Sequence, residues 1–323
     1  MELIQKNFLK GLRSKLNDGR IMVLVSIIIS THNKKNELRR TIESIRESTM
    51  VDLEIIVVSA ASNDGTDEFL PKEFPDVKLV IAPDVGWGES NNIGAANANG
   101  EFLFFSGADL QFMDQWLEKL VSCSKKLNNY GSLGTIVNRT ENGIDKYTGG
   151  MKVKFGGLIN PVLEIKEEIQ PFCEEYVTDN CIFYPVDCVY YPFVRRDTFL
   201  KSGGFDPEYF YWNDDVDFGL KLERMGLNNY IINFYGMKTE ATAVSEKLVY
   251  YFHRNKLRLI LKTNSFPTNL LFGCVETVLF LGYAIIYYVR RKRNFSKLIL
   301  SGIIWNFRNL KSTMRAKKLF FKV

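Results

Sequence analysis

The chain has 323 residues, 46% of them hydrophobic and 24% charged, so it is long enough to bury a full core and is unlike a disordered or fibrous sequence. The net charge of +5 is uneven, because eleven basic residues and no acidic residue follow Glu276. Five cysteines without a C-x-x-C pair predict reduced thiols in a cytosolic setting, and two histidines disfavour a zinc site built from His and Cys.

Residues 1–21 are predicted to form a short, basic amphipathic helix. Ile4, Phe8, Leu12 and Leu16 are spaced four apart, with basic residues between them. Such a helix lies on a membrane surface or packs with one face in solvent, and the pattern leaves both alternatives open.

Residues 22–262 have the pattern of an α/β domain. Apolar, largely β-branched runs, "VLVSIII" and "LEIIVVS", are typical of strands buried on both faces of a parallel sheet. Further strands are predicted at "VKLVIA" and "EFLFFSGAD", and helices at "LRRTIESIRES", from about Thr66, and within "GWGESNNIGAANANG". This order predicts an open α/β sheet with right-handed crossovers.

Polar residues occupy all four predicted strand ends, at 31–33, 59–64, 86–92 and 106–109. Open α/β sheets bind ligands at the carboxyl ends of their strands. The sequence therefore predicts one binding site formed by these four loops.

The middle of this domain, residues 130–200, is rich in Tyr, Gly and Pro and is interpreted as mostly irregular loops that shape a pocket. Only short strands such as "CVYYPFVRRD" are expected there. Beyond it, "YYFHRNKLRLILK" predicts a helix that leads into the tail.

Residues 263–323 are predicted to be a basic, apolar helical tail that associates with a membrane. The stretch 269–289 is close to the roughly 20 residues that cross a bilayer, and four basic residues follow it. Either it spans alone, or it pairs with the apolar stretch 298–307 in the interface, with all basic residues at the cytosolic headgroups. The basic residues on its near side are Arg254, Lys256, Arg258 and Lys262.

We prefer the interfacial arrangement, which predicts a peripheral or monotopic protein on the cytoplasmic face of the membrane. A buried C-terminal helix used for self-association, giving a homo-oligomer, is the alternative. No nucleic acid partner is expected, because nucleic-acid binders seldom carry an apolar segment of this length.

Common nucleotide and calcium motifs are incomplete. G-x-G-x-x-G would need a glycine at Asn91, and no G-x-x-x-x-G-K-[ST] occurs. A calcium loop starting at Asn213 would need glycine at Phe218 and glutamate at Arg224. Nicotinamide, P-loop and EF-hand sites are therefore disfavoured.

Four stretches together resemble family 2 glycosyltransferases of GT-A fold, and within them the rhamnosyl- and galactofuranosyl-transferase-like branch. They are "VSIIISTHNKKNELRRTIESI", "EIIVVSAASNDGTDEFL", "GWGESNNIGAANANGEFLFFSGAD" and "GGFDPEYFYWNDDVDFGLKLERMG". "YYFHRN" resembles the aromatic-Arg-Asn segment that precedes the membrane-proximal tail of these enzymes. The resemblance implies a Rossmann-like mixed sheet flanked by helices, a nucleotide-sugar donor, inversion at the transferred sugar, and Mg²⁺ or Mn²⁺ as cofactor.

The same resemblance assigns roles to individual residues. Asp215 matches the base of the family's E-D-x-D motif, Asp214 is its catalytic neighbour, and Asp109 matches the last acid of the metal-binding D-x-D or N-x-D. Trp212 is the candidate for stacking on an acceptor sugar. The donor-binding candidates are Thr31, Asn33, Ser59, Asp64, Trp87, Gly88, Asn91 and Asn92.

Three positions depart from the family pattern. Ser59 stands where an aspartate usually recognises the nucleobase, and Gly107 stands where the first acid of the metal motif belongs. A histidine often found after the base helix is missing from "NFYGMKTEAT". The identity of the base and the dependence on a metal therefore stay open at this point.

Each candidate also has a simpler structural role. Asp109 would cap a helix that starts near Met113, and Asp64 would close a turn. Asn91 and Asn92 would satisfy backbone groups at a helix start, and the tryptophans would pack. His32 is expected to be a loop residue with a structural hydrogen bond.

The carboxylates of "NDDVDFGLKLERMG" are predicted at a helix start, with Phe218, Leu222 and Met225 toward the core and Gly226 at the C-terminal cap. Crowding raises the pKa of one carboxyl toward the range of a base, whereas Asp217 is expected to be mainly structural. We expect a non-processive transferase that moves one sugar to a hydroxyl of a lipid-linked or cell-surface glycan. The alternatives are a polyprenyl-phosphate glycosyltransferase and a catalytically impaired, glycan-binding relative.

Overall fold

The structure, a computed structural model, describes residues 24–49, 52–141, 143–154, 158–162, 176–178, 181–240 and 246–322. The helix predicted over residues 1–21 lies outside the described residues. A central mixed sheet flanked by helices accounts for most of the chain, as the sequence predicts, and a bundle of four helices follows it.

The first half of the sheet is parallel. Its strands and helices are β1 (Val25–Thr31), α1 (Lys35–Ser48), β2 (Leu53–Ala60), α2 (Thr66–Glu73), β3 (Lys78–Ala82), α3 (Trp87–Ala96) and β4 (Phe102–Gly107). These four strands lie side by side in the order β3-β2-β1-β4, and each neighbouring pair is parallel. The predicted strand and helix sequence of this half is confirmed.

Helices cover both faces of the sheet, which explains why the strands are apolar throughout. One core joins the sheet to the apolar faces of α1 and α2, including Leu38, Ile42 and Phe69. The other core joins the opposite face to α3 and to elements further along the chain, including Ala95 and Phe218.

The rest of the sheet domain, from residue 110 to residue 240, is largely strand where it is described. It comprises β5 (Leu110–Phe112), α4 (Trp116–Ser124), β6 (Tyr130–Glu141), β7 (Ile144–Thr148), β8 (Gly150–Lys154), β9 (Leu158–Val162), β10 (Tyr176–Thr178), β11 (Cys181–Val186), β12 (Cys188–Val189), β13 (Phe193–Arg195), α5 (Arg196–Lys201), α6 (Asp214–Arg224) and β14 (Asn228–Glu240). Among the described strands, the main sheet runs β10-β11-β14-β6-β13-β4-β1-β2-β3, and β12, β8 and β9 form a small second sheet.

The prediction that residues 130–200 are mostly irregular is therefore wrong. β6 alone has 12 residues, and ten of them pair with residues of β14, about a hundred residues later in the chain. Non-local pairing of this kind stabilises a strand whose glycines and polar residues give a weak local signal.

Two of the cysteines also differ from expectation. Cys123, in α4, and Cys181, at the start of β11, form a disulfide across a sequence separation of 58 residues. The expectation of reduced thiols is wrong for this pair, because the fold brings together two cysteines whose spacing gives no sign of a bridge.

The C-terminal bundle consists of α7 (Glu246–Thr263), α8 (Thr268–Val289), α9 (Arg293–Arg308) and α10 (Leu310–Phe320). Leu257 of α7, Phe280 and Ala284 of α8, and Ile299 and Ile303 of α9 form its core. In the described part of the chain, α8 is the one helix long and apolar enough to cross a membrane. Its single acid does not face outward.

Glu276 points into the bundle, where its carboxylate lies 2.6 Å from Lys256 Nζ of α7. The outer face of α8 is apolar and exposed, at Leu271, Val278 and Ile285 among others. The charge that interrupts the apolar stretch in the sequence is thus neutralised on the inner side of the helix.

Candidate active site

The carboxyl ends of β1, β2 and β4 are joined by side-chain contacts into one polar edge. His32 Nδ1 lies 2.6 Å from the carbonyl oxygen of Ala60, and the backbone N–H of Asn63 donates to Asn33 Oδ1 at 2.7 Å. Lys34 Nζ lies 2.5 Å from Asp109 Oδ2. These contacts join three of the four loops predicted to converge, and His32 has the structural hydrogen bond expected of it.

Asp64 closes the turn after β2. Its carboxylate accepts hydrogen bonds from the backbone N–H groups of Lys35 at 2.8 Å and Thr66 at 3.1 Å, and from the Thr66 hydroxyl at 2.5 Å. It therefore ties the start of α1 to the start of α2, which is the simpler of the two roles considered for it.

Two buried hydroxyls lie beneath this edge without a hydrogen-bond partner in the described part of the chain. Thr31 Oγ1 and Ser59 Oγ belong to residues that are paired in register at the ends of β1 and β2 and are 3% and 0% exposed. Because buried polar groups are nearly always hydrogen-bonded, unpaired hydroxyls at strand ends indicate a partner supplied by a ligand or water.

The glycine-rich loop before α3 lies directly against the segment that precedes the acidic cluster. A Cβ placed on Gly86 would lie 2.2 Å from the Phe210 carbonyl oxygen, and one on Gly88 would lie 3.2 Å from Asp214 Oδ2. A side chain at position 86 would not fit, and one at position 88 would be tight. The donor-loop candidate and the catalytic candidate are thus neighbours in space.

The remaining residues of this loop hold it in place. Trp87 packs edge-on against Phe205 at 5.2 Å between ring centroids. Asn92 Nδ2 donates to the Phe205 carbonyl and its Oδ1 accepts from the Phe205 N–H, both at 2.9 Å. Asn91 Nδ2 donates to the Trp87 carbonyl, while Asn91 Oδ1 is buried without a partner among the described residues.

The acidic cluster lies at the N-terminus of α6, as predicted. Asp214 is 4% exposed, and burial together with the nearby Asp215 charge raises the pKa of Asp214 to about 8. Burial also raises the pKa of Asp215 to about 6, although its carboxylate accepts a hydrogen bond from the Val216 N–H at 2.8 Å. Both carboxyls therefore gain or lose a proton near neutral pH, which suits general acid–base chemistry.

Asp217 is placed differently from its neighbours. It is fully buried, and its carboxylate oxygens lie 2.7 and 2.8 Å from Lys262 Nζ of α7. An acid neutralised in this way contributes to structure and is not free to accept a substrate proton.

The segment between α5 and α6 is held by a row of buried side chains on α7. Arg258 Nη2 and Lys262 Nζ lie 3.0 and 2.7 Å from Asp206 Oδ2, and Arg254 pairs with Glu208 at 3.8 Å. Asn255 Nδ2 donates to the carbonyl oxygens of Tyr211 and Trp212.

Three of the four basic residues assigned from the sequence to membrane headgroups are therefore buried, which corrects that prediction. Arg254, Arg258 and Lys262 are 7%, 1% and 3% exposed. Their spacing of four places them on one helix face, and the sequence alone does not show whether such a face meets lipid or acidic side chains.

Trp212 lies beside the acidic cluster, with 39% of its surface exposed. It contacts Phe252 of α7 edge-on at 5.9 Å between ring centroids, and Tyr211 is also exposed. These three residues, Tyr211, Trp212 and Phe252, form an aromatic surface of the kind that stacks on sugar rings.

Asp109 is not a helix cap. α4 begins at Trp116, three residues later than expected, and its N-cap is Gln115. Thr41 Oγ1 donates to the carbonyl oxygens of Ala108 and Leu110, which fixes the backbone on both sides of Asp109. The carboxylate of Asp109 is turned toward Lys34.

Comparisons with known proteins point to one class of enzyme. Residues 26–181 match the family model "Glycosyl transferase family 2". The chain is 29% identical over 210 residues to the O-antigen biosynthesis protein RfbC of Myxococcus xanthus, which covers 63% of this chain but 16% of RfbC. It is 20% identical over 229 residues to the N-acetylglucosaminyl-diphospho-decaprenol L-rhamnosyltransferase of Mycobacterium tuberculosis, covering 63% of this chain and 71% of that enzyme.

Among solved structures, S. aureus TarS aligns with a TM-score of 0.48 at 15% identity, over 82% of this chain and 43% of TarS. The chain spans less than two thirds of the length of RfbC and of TarS.

A mixed α/β sheet and a carboxylate pair beside a glycine loop accompany this match to glycosyltransferases. The match of residues 26–181 and the two relatives support the family predicted from the motifs, the family 2 glycosyltransferases.

Members of this family generally use a divalent metal ion. The residues around Asp109 fit such an ion poorly, because one oxygen is paired with Lys34 and position 107 carries no carboxylate. No group of three His, Cys, Asp or Glu side chains that could hold a metal occurs in the part of the chain that the structure describes.

Proposed function

We propose that the chain transfers one sugar, with inversion, from a nucleotide-sugar donor to a hydroxyl of a lipid-linked or cell-surface glycan. The acceptor oxygen forms a bond to the anomeric carbon while the bond from that carbon to the phosphate oxygen breaks. Asp215 takes the acceptor proton, and the nucleoside diphosphate leaves with the bonding electron pair.

The observation that carries the proposal is the contact between the acid pair and the glycine loop. Asp214 Oδ2 has no hydrogen-bond partner among the described residues and lies against Gly88. A donor sugar held by the loop would therefore meet the carboxyls at the head of α6. Raised pKa values keep one carboxyl protonated and leave the other available as a base.

The acceptor class is supported by the relatives and by the aromatic surface. One relative is named for O-antigen biosynthesis and another for rhamnose transfer to a diphospho-decaprenol-linked sugar. The side chains of Tyr211, Trp212 and Phe252 are exposed and offer ring faces to a glycan acceptor.

The test is transfer from a panel of nucleotide sugars to a lipid-linked saccharide, comparing wild type with Asp215→Asn. We expect a loss of at least about 10³-fold in kcat, with donor binding retained, because the variant cannot accept a proton. Unchanged turnover would remove Asp215 from the mechanism. Transfer only to a polyprenyl phosphate would identify the lipid-phosphate enzyme, and donor binding without any transfer would identify a glycan-binding relative.

We further propose that the tail lies on the cytoplasmic face of a membrane, where nucleotide sugars are available, with α8 against the lipid. An anionic bilayer fits because an exposed apolar face is followed at once by basic residues. The exposed side chains of that face are Leu271, Val278, Ile285 and Val289, and the basic residues are Arg290, Arg291, Lys292 and Arg293.

Vesicle sedimentation tests this placement. Wild type is expected to sediment with anionic vesicles and less with neutral ones, and Val278→Glu/Ile285→Glu to stay in solution. A dimer that forms without lipid and is broken by the same double substitution would show instead that the face serves self-association.

A further inference from the structure

The ion pair between Lys34 and Asp109 occupies the place where the family's metal motif would act. Lys34 Nζ lies 2.5 Å from Asp109 Oδ2, although the two residues are 75 positions apart. A Cβ placed on Gly107 would lie 2.9 Å from Asp109 Oδ1. The glycine therefore leaves the space into which the Asp109 carboxylate turns, and a carboxylate at position 107 would compete for it.

A lysine is unusual at the N-cap of α1, where Lys34 lies. This position is at the positive end of the helix dipole, where a cation is unfavourable unless an anion faces it. Asp109 supplies one negative charge. The side chains of the pair are 33% and 25% exposed, so both ends of the ion pair face the open site and an incoming anion can reach the ammonium.

The ends of β1 and β2 carry unsatisfied polar groups. Thr31, three residues before Lys34, and its register partner Ser59 carry the buried hydroxyls that lack partners among the described residues. The start of α1 lies at the same edge, where the Lys35 N–H already donates to Asp64 Oδ2. Hydroxyls and an ammonium are among the groups with which proteins bind phosphate oxygens.

We propose that Lys34 is the cation that faces the diphosphate of the donor and that donor binding in this chain needs no divalent ion. This rests on the proposed function. On donor arrival, the ammonium shares its hydrogen bonds between Asp109 and the phosphate oxygens. The positive charge that the family generally takes from a metal comes from a side chain, and the leaving diphosphate is neutralised by Lys34 as the glycosidic bond breaks.

Calorimetry with UDP, dTDP and GDP, each in excess EDTA and in Mn²⁺, tests the proposal on the full chain. Wild type is expected to bind one of them with a Kd that differs by less than about threefold between the two conditions. Lys34→Gln should weaken that binding by roughly tenfold or more in EDTA, because a charge-assisted contact is lost. Lys34→Arg should recover most of it, and Lys72→Gln, an exposed lysine at the end of α2, should match wild type.

The variant Lys34→Gln/Gly107→Asp gives the converse experiment. With carboxylates at positions 107 and 109 and no lysine at position 34, this variant is expected to bind the nucleotide only in Mn²⁺. Melting temperatures confirm that each variant is folded.

Two results overturn the inference. If EDTA abolishes wild-type binding and Lys34→Gln behaves as wild type in Mn²⁺, the metal does the work assigned to Lys34 while the proposed function stands. If no nucleotide binds under either condition, both the inference and the proposed function fail.

Discussion

Replacing Lys262 by methionine removes the charge that neutralises two buried carboxylates at once. Asp206 keeps Arg258 as a partner, 3.0 Å away, but Asp217 is fully buried and loses its only ion pair among the described residues. Breaking a buried pair by removing one partner costs about 3–5 kcal/mol. At roughly 2 °C per kcal/mol for a chain of this size, the melting temperature should fall by about 6–10 °C.

Activity should fall as well, because Asp217 lies one helical half-turn beyond Asp215 on α6. A displacement of the helix start misplaces the base, and we expect kcat to drop roughly ten- to a hundredfold. Thermal unfolding and transfer rates are measured on the same preparations. Lys247→Met, at an exposed position of the same helix, is the matched control.

A second substitution separates charge from packing. Asp217→Asn in the Lys262→Met background removes the stranded charge, so part of the lost stability should return and the double-mutant cycle should show coupling of about 1 kcal/mol or more. If Lys262→Met melts within about 2 °C of wild type, the buried ion pairs do not stabilise the acidic segment, and the role assigned to α7 is wrong.

Three further predictions concern the acids and the aromatic surface. The kcat/KM of wild type should rise with pH through about 6, where Asp215 loses its proton, and pH–rate profiles of wild type and Asp215→Asn check this. The pKa of Asp214 is raised to about 8, so the folded protein loses stability as the pH rises from the unfolded pKa of aspartate, near 4, toward 8. Asp214→Asn should therefore melt at a higher temperature than wild type at pH 8 and at the same temperature at pH 4. Trp212→Ala should raise the KM for acceptor several-fold and leave donor binding unchanged, and an effect confined to the donor would contradict its placement.

The parallel half of the sheet was predictable because its signals are local. "VSIII" and "LEIIVVS" are apolar without interruption, and the face of α1 follows from Leu38, Ile42 and Ile45. The acidic helix start and the glycine C-cap at Gly226, with φ of 76°, are likewise set by neighbouring residues. The ends of β1, β2 and β4 then meet by topology.

The features that the sequence did not predict depend on distant partners. β6 is stabilised by β14, Cys123 by Cys181, and Lys34 by Asp109, each across more than 50 residues. No periodicity records such a pairing. The roles of Ser59, Asp109 and Asp215 toward a ligand remain predictions, since the structure gives their places but not their contacts with substrate.

The basic face of α7 shows the same limit. Its spacing is visible in the sequence, but the acids that it meets, Asp206 and Asp217, lie about 50 residues earlier. The apolar segment that follows α7 led us to expect lipid as the partner of this face. In the structure its partners are buried carboxylates.

Helix α7 takes part in two cores. On one side Leu259 packs with Tyr209 and Val216, next to the acidic cluster of α6. On the other side Leu257 packs with α8 and α9, and Asn306 of α9 donates to the Arg254 carbonyl at 2.8 Å. A variant shortened after α7 would strip one side of the helix that holds the acids in place, so the helical bundle has to be retained in any protein used to test transfer.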